Sequence, residues 1–119
     1  MDFIDSVNES WDMRYEETGE TGDSVFMLID IDNDIRHRFY SEDLQILIEF
    51  LNDIKNILKS NISLDLNESY YLHYGSYCGE YYLTINDLDN NERLNFCTED
   101  IKKITEFLNR LKGFGVMKL

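Results

Sequence analysis

The pattern of apolar and polar positions predicts strands in the first half of the chain, followed by one long helix. Period-two alternation and runs of β-branched and aliphatic residues predict three strands, over residues 11–15, 25–31 and 35–40. Residues 32–34 read Asp-Asn-Asp, and these types tolerate the left-handed backbone angles of a hairpin turn. Ser41 predicts a helix cap, because two acids follow it at the positive end of the helix dipole. The helix is expected to run to about residue 59.

The second half of the chain predicts the same order of elements. Strands are expected over residues 70–77, 81–88 and 93–97, and a second helix is expected to begin at Thr98. Glycines at 113 and 115 are expected to end this helix, since glycine adopts the backbone conformation that closes helices. Residues 60–69 are expected to link the halves. Residues 1–9 are expected to form one helical turn or a frayed end.

The two halves share sequence as well as pattern. Shifted by 57 positions, residues 26–57 align without a gap with residues 83–114, and 12 of the 32 pairs are identical. The identical pairs are Asp30/Asp87, Asp32/Asp89, Asn33/Asn90, Arg36/Arg93, Phe39/Phe96, Glu42/Glu99, Asp43/Asp100, Glu49/Glu106, Phe50/Phe107, Leu51/Leu108, Asn52/Asn109 and Lys55/Lys112. A repeat of this length indicates a supersecondary unit that cannot bury its apolar face alone.

The repeat predicts an α+β fold. Strand positions that are apolar in both copies are expected to face the core: Phe26/Leu83, Leu28/Ile85, Phe39/Phe96 and Met13/Tyr70. We expect a tandem βββα repeat that builds one antiparallel sheet of about six strands, with two helices packed on one face. The whole chain, 1–119, is expected to be a single domain with repeats at about 10–59 and 67–115 and an acidic N-terminal segment at 1–10.

The opposite face of this predicted sheet is expected to bind a partner. Apolar residues of the first half, aromatic residues of the second half and arginines are expected there, although a solvated sheet face is normally polar. Large exposed apolar and aromatic patches mark interaction surfaces, and Tyr and Arg are enriched in interface hot spots. Two alternatives stay open: the N-terminal segment folds over this face, or the strand register is shifted by one residue.

The charge of the chain is strongly acidic. It has 24 acidic and 11 basic residues, a formal net charge of −13. Residues 1–23 hold eight of the acids and one base, Arg14, so this segment contributes −7. Direct binding to nucleic acid or to an anionic membrane is disfavoured, because both need a basic surface. A basic protein partner fits the charge, and a role in solubility alone is the other interpretation.

The sequence predicts a cytoplasmic protein. It has no apolar run of the roughly 18 residues that a membrane span needs, and no basic region followed by an apolar one at its acidic N-terminus. Two cysteines, Cys78 and Cys97, do not make a disulfide framework.

Candidate metal and catalytic motifs are incomplete. The Asp-x-Asp-x-Asp run at 30–34 looks like the start of a calcium loop, but Ile35 stands where glycine is required and Ser41 where an acid is required. No short Cys or His spacing typical of zinc is present, and His37 is expected to face the core at the sheet edge. Neither a phosphate loop nor a Ser-His-Asp order occurs. We therefore expect a non-enzymatic protein with no cofactor and no metal.

Each predicted unit resembles units in small acidic phage-encoded inhibitors, of which the type II-A anti-CRISPR proteins are an example. The features that carry the resemblance are the strand order, the short acidic hairpin and the Tyr-Ser-Glu-Asp helix start at 40–43. The resemblance is one of arrangement and acidity, over one unit at a time. It implies a stoichiometric inhibitor, and some members of that class act as DNA mimics that occupy a DNA-binding groove with carboxylates.

The predicted function is a non-enzymatic acidic inhibitor of a basic, nucleic-acid-handling protein, of the phage or mobile-element anti-defence type. Two alternatives stay open: an immunity protein that neutralises a cognate toxin, and an acidic secretion chaperone that works as a homodimer. The side chains expected to contact the partner come from the acidic segment and the open sheet face: Asp12, Glu16, Glu17, Glu20, Asp23, Met27, Ile29, Arg36, Arg38, Tyr40, Tyr71, His73 and Tyr82.

Overall fold

The computed structural model describes residues 2–17, 24–56 and 61–113, in which the order of elements β-β-β-β-α occurs twice. The first half contains β1 (Asp2–Ser6), β2 (Trp11–Glu17), β3 (Ser24–Asp30), β4 (Ile35–Tyr40) and α1 (Ser41–Asn56). The second half contains β5 (Ile62–Asp65), β6 (Tyr70–Tyr77), β7 (Glu80–Asp87), β8 (Glu92–Cys97) and α2 (Thr98–Gly113).

The described strands form two antiparallel sheets rather than one. Sheet A has the order β1-β2-β3-β4 and sheet B the order β5-β6-β7-β8. The α+β class is confirmed, but the expected single sheet of about six strands is wrong. The two strands beyond the expected six are β1 and β5, which occupy segments expected to be a helical turn or frayed end and a linker. Both are short edge strands with mostly exposed side chains, so they lack the apolar alternation that identifies a strand.

Both helices begin at the predicted residues. Ser41 opens α1 and Thr98 opens α2, and two acids follow in the first turn of each helix, where they complement the helix dipole. The expected extension of the first helix beyond residue 56 lies outside the described residues.

Two turns with the same hydrogen bonds close the β3–β4 and β7–β8 hairpins. The Asp30 carboxylate accepts bonds from the backbone N and the Nδ2 of Asn33, at 3.3 and 2.8 Å. Asp87 accepts the same two bonds from Asn90, at 3.2 and 2.9 Å. The last turn residue has a left-handed φ in both hairpins, 53° for Asp34 and 52° for Asn91. The identity of these residues in the two copies is therefore explained by turn geometry.

The inner faces of the two sheets and the apolar stripes of the helices form the core. The largest fully buried side chains are Tyr15, Phe26, Phe39, Phe96, Met13, Leu28, Leu44, Leu47, Leu51, Leu72, Leu83 and Ile85. Aromatic pairs join the sheets: the ring centroids of Trp11 and Phe96 are 5.5 Å apart, and those of Phe39 and Tyr70 are 4.8 Å apart. Each pair adds contact energy to the burial of its area.

The helices join the halves further. The ring of Phe107 on α2 lies 5.9 Å from that of Phe26 on β3, so α2 contacts sheet A. Asn109 on α2 donates a hydrogen bond of 3.2 Å to Asn52 on α1. These two asparagines are an aligned pair of the sequence repeat, 57 positions apart.

The register of the first strands corrects one expected equivalence. Met13 lies opposite Leu28, and the residue opposite the aligned Ile85 is Leu72, not Tyr70. The offset between the halves is therefore 59 on β2 and β6 but 57 from β3 onward. The cause is the β2–β3 connection, which is longer than the two-residue turn between β6 and β7.

Candidate functional site

The outer face of sheet A brings acidic, apolar and basic side chains into one layer. We define this face by Asp2, Ile4, Ser6, Asp12, Arg14, Glu16, Val25, Met27, Ile29, Arg36, Arg38 and Tyr40, which alternate with the residues of the core. The acids lie on β1 and β2, three apolar residues lie on β3, and two exposed arginines lie on β4. The face therefore has an acidic side and a basic side.

Arg14 is already engaged on the acidic side. Its guanidinium forms ion pairs with Asp2, at 3.1 Å, and with Glu16, at 2.6 Å. Because Arg14 is the one base among residues 1–23, the acidic side presents a net negative charge to an approaching partner.

The centre of the outer face of sheet A is filled rather than open. Met27 is 2% exposed and Val25 is 9% exposed. Met27 lies between Arg14 and Arg38 on the neighbouring strands, and long arginine side chains cover apolar neighbours in this way. The exposed apolar side chains of this face lie on its outer strands, Ile4 at 65% and Tyr40 at 54%.

The outer face of sheet B carries two shallow grooves. Their volumes are about 480 and 600 Å³, and both are lined by His73, Thr84 and Arg93. Tyr71 lies in the first groove and Tyr82 in the second. This face is polar and aromatic, unlike the apolar centre of sheet A.

Hydrogen bonds hold two side chains of the outer face of sheet B. His73 Nδ1 lies 2.7 Å from the Ser63 hydroxyl on β5. The Tyr82 hydroxyl donates to Glu80 at 2.8 Å, and this bond to a carboxylate raises the pKa of Tyr82. The first bond crosses from β6 to β5, and the second lies within β7.

The structure divides the expected partner-contacting residues between the sheets. The outer face of sheet A holds Asp12, Glu16, Met27, Ile29, Arg36, Arg38 and Tyr40, and the outer face of sheet B holds Tyr71, His73 and Tyr82. Glu17 is exposed at the end of β2, while Glu20 and Asp23 lie outside the described residues. The expectation that the residues of the open face, from Met27 to Tyr82, share one sheet face is therefore wrong, because the described strands form two sheets.

A buried polar cluster lies where the sheets meet. His37 on β4 is 2% exposed and Asp87 on β7 is 3% exposed. His37 Nδ1 lies 3.2 Å from the Tyr70 hydroxyl and 3.5 Å from Asp87 Oδ2. Glu92, exposed on β8, lies directly opposite Asp87. The expectation that His37 faces the core at a sheet edge is confirmed, since β4 is an edge strand of sheet A.

Burial sets the protonation of this cluster. It lowers the pKa of His37, an effect that the nearby Asp87 carboxylate opposes. It also raises the pKa of Tyr70 to about 12, and the negative charge of Asp87 adds to this shift. A neutral imidazole and a neutral phenol are the forms that burial favours here.

Sequence reasoning missed this cluster because its members are far apart in the chain and show no motif spacing. The alignment of the two halves does contain a signal for the cluster. His37 aligns with Leu94 and Glu92 aligns with Ile35, so each copy has a polar residue where the other is apolar.

Comparisons with family models, with curated proteins and with solved structures gave no match to this chain. Within the described residues, neither helix has the length and apolar character required to cross a lipid bilayer.

Proposed function

We propose that this protein is a non-enzymatic inhibitor that binds a basic, nucleic-acid-handling protein through the acidic edge of sheet A. We define the acidic edge as Asp2, Asp12, Glu16 and Glu17 on β1 and β2. The observation that carries the proposal is the concentration of carboxylates on this edge, beside one arginine that is already paired within it.

The proposed mechanism is occupation of a phosphate-binding surface by carboxylates. A protein surface that holds nucleic acid presents Lys and Arg side chains to phosphates. The acidic edge carries negative charge, as phosphates do, on the antiparallel pair of β1 and β2. The net charge of −13 raises the rate of encounter with a basic surface. Exposed Ile4 and Tyr40, at the two sides of the same face, would add apolar area to the contact.

Charge reversal at the acidic edge tests the proposal. The partner is first captured from the source organism with the full chain, and its affinity is then measured for the double variant Asp12→Lys, Glu17→Lys. We expect at least a roughly 10-fold loss of affinity, because like charges then face each other across the contact.

The matched control is the double variant Glu49→Lys, Glu106→Lys. It changes the net charge by the same amount at exposed helix positions that are outside the acidic edge. We expect its affinity to stay within about twofold of the wild type. Equal losses in both double variants, or no loss in either, would contradict binding through the acidic edge.

We also infer that the two halves are copies of one ββββα unit. Three features support this inference. The strand order is the same in both sheets, the Asp-Asn turn has the same hydrogen bonds in both halves, and a hydrogen bond joins the aligned asparagines of the two helices. Residues that differ between the copies are then the ones that the common architecture does not require.

A further inference from the structure

Three metal-ligating side chains from both sheets converge where the sheets meet. They are His37 from sheet A and Asp87 and Glu92 from sheet B, and one ligand atom of each lies within 4.8 Å of the others. Nitrogen and oxygen ligands of this kind suit divalent transition metals such as Zn²⁺. We propose that these three side chains bind one divalent ion of the Zn²⁺ type, which joins sheet A to sheet B.

The distance between the two buried ligands fits coordination better than direct hydrogen bonding. His37 Nδ1 and Asp87 Oδ2 are 3.5 Å apart, whereas an N–H···O hydrogen bond normally measures about 2.7–3.2 Å. Two ligands held at about 2.0–2.1 Å from a tetrahedral zinc are about 3.3 Å apart. The pair is therefore spaced to hold an ion between its members.

The negative charges of Asp87 and Glu92 favour the binding of a cation. Asp87 and Glu92 are directly opposite each other on β7 and β8, and like charges in this arrangement destabilise a sheet. Asp87 is almost fully buried, which adds the cost of desolvating its charge. Within the described residues, neither carboxylate forms an ion pair with a lysine or arginine. A bound divalent ion would neutralise both carboxylates at once.

The hairpin itself does not require the complete ligand set. In sheet A the corresponding cross-strand pair is Asp30 with Ile35, and Asp30 makes the same turn bonds to its asparagine as Asp87 does. The position that corresponds to His37 is Leu94. His37 and Glu92 therefore have apolar residues, Leu94 and Ile35, at the positions aligned with them in the other half. The turn geometry does not account for this histidine or this second carboxylate.

Solvent can reach the proposed site from one side. Asp87 and Glu92 also line the groove of about 480 Å³ on sheet B, so an ion has a path to the buried ligands. The Tyr70 hydroxyl lies beside the ligands, 3.2 Å from His37 Nδ1. Because a ring nitrogen that binds an ion cannot also hold a hydrogen bond, ion binding through Nδ1 would replace this contact. Three protein ligands leave one position of a tetrahedral ion for water.

Metal titration of the chelator-treated full chain tests the site. Titration with Zn²⁺ in a calorimeter is expected to show one ion per chain, and Tm is expected to rise with Zn²⁺ concentration because the ion binds the folded state. Co²⁺ is expected to give the visible absorption of a four-coordinate site. Ca²⁺ is expected to have no comparable effect, because it prefers six to eight oxygen ligands.

Substitutions of two of the proposed ligands locate the ion. Glu92→Gln, at an exposed position, should fold normally and weaken Zn²⁺ binding at least about 10-fold. His37→Leu, which installs the residue found at position 94, should abolish the Co²⁺ absorption. Far-UV circular dichroism checks that both variants are folded, and if His37→Leu is not, Glu92→Gln decides alone.

Two controls exclude other metal ligands. The variant His73→Leu and the double variant Cys78→Ser, Cys97→Ser should bind Zn²⁺ as the wild type does, since none of these residues lies in the cluster. The proposal is overturned if Zn²⁺ leaves the wild-type Tm unchanged. It is equally overturned if Glu92→Gln binds Zn²⁺ as tightly as the wild type does, or if binding disappears in either control.

Discussion

The aspartates that begin the two hairpin turns have different surroundings although their turn bonds are the same. Asp30 is half-buried and lies opposite Ile35, whereas Asp87 is 3% exposed and lies opposite Glu92 and near His37. The shared bonds explain why aspartate is present in both copies. The difference between their neighbours explains why only Asp87 belongs to a polar cluster. Burial in this cluster and the negative charge of Asp87 raise the pKa of the adjacent Tyr70.

The titration of Tyr70 gives a test at the scale of one residue. Its folded pKa of about 12 exceeds the ordinary value of 10.0, so the folded state holds the phenol proton more tightly than the unfolded state does. This contribution to stability is complete below pH 10 and is lost as the pH rises toward 12. We expect the unfolding free energy of Tyr70→Phe to fall less over this interval than that of the wild type.

The control for this titration is Tyr77→Phe. Tyr77 is 74% exposed, so its removal should leave the alkaline decline of stability unchanged. Denaturant unfolding measured at several pH values gives the comparison. An equal decline in the wild type and Tyr70→Phe would show that the phenol of Tyr70 is not perturbed by the fold.

The strands and helices show which parts of the fold could be predicted from the sequence. The helix starts at Ser41 and Thr98 follow from local capping chemistry, and the hairpin turns follow from residues that accept left-handed angles. The division into two sheets was not predictable in this way. Alternation shows which face of a strand is buried, but it does not distinguish strands that pair from strands whose faces pack together.

The expected partner site was predictable only in part for the same reason. Alternation placed Arg36, Arg38 and Tyr40 correctly on one outer face, since it is a local property. Met27 was expected to be available to a partner, but it is only 2% exposed between Arg14 and Arg38 of the neighbouring strands, and these neighbours depend on the strand register. The cluster of His37, Asp87 and Glu92 needs the contact between the sheets, which no local pattern contains.

The β3–β4 turn allows a test at the scale of an element. Asp30→Ala removes both bonds to Asn33, and we expect a loss of about 1–2 kcal/mol in the free energy of unfolding. The control is Asp32→Ala, an exposed position in the same turn, which should change the stability by less than about 0.5 kcal/mol. Chemical denaturation measures both. Equal effects of the two variants would show that the turn bonds of Asp30 do not stabilise the hairpin.

At the scale of the whole molecule, the sheets share one core and present outer faces of different character. Aromatic contacts of Trp11 with Phe96 and of Phe39 with Tyr70 join the sheets, and Phe107 joins α2 to sheet A. Sheet A carries Asp2, Asp12 and Glu16 of the acidic edge on its outer face, and sheet B carries polar grooves. A rigid core that presents a fixed array of carboxylates suits a binding protein, because little conformational entropy is lost on association.

The salt dependence of partner binding tests the central claim, that the acidic edge holds a basic surface. The dissociation constant of the wild-type complex is measured from low to high salt, alongside that of the double variant Asp12→Lys, Glu17→Lys. Screening weakens interactions between exposed charges. We therefore predict a steep rise of the wild-type Kd with salt and a much shallower dependence in the variant. A wild-type Kd that does not change with salt would contradict the claim.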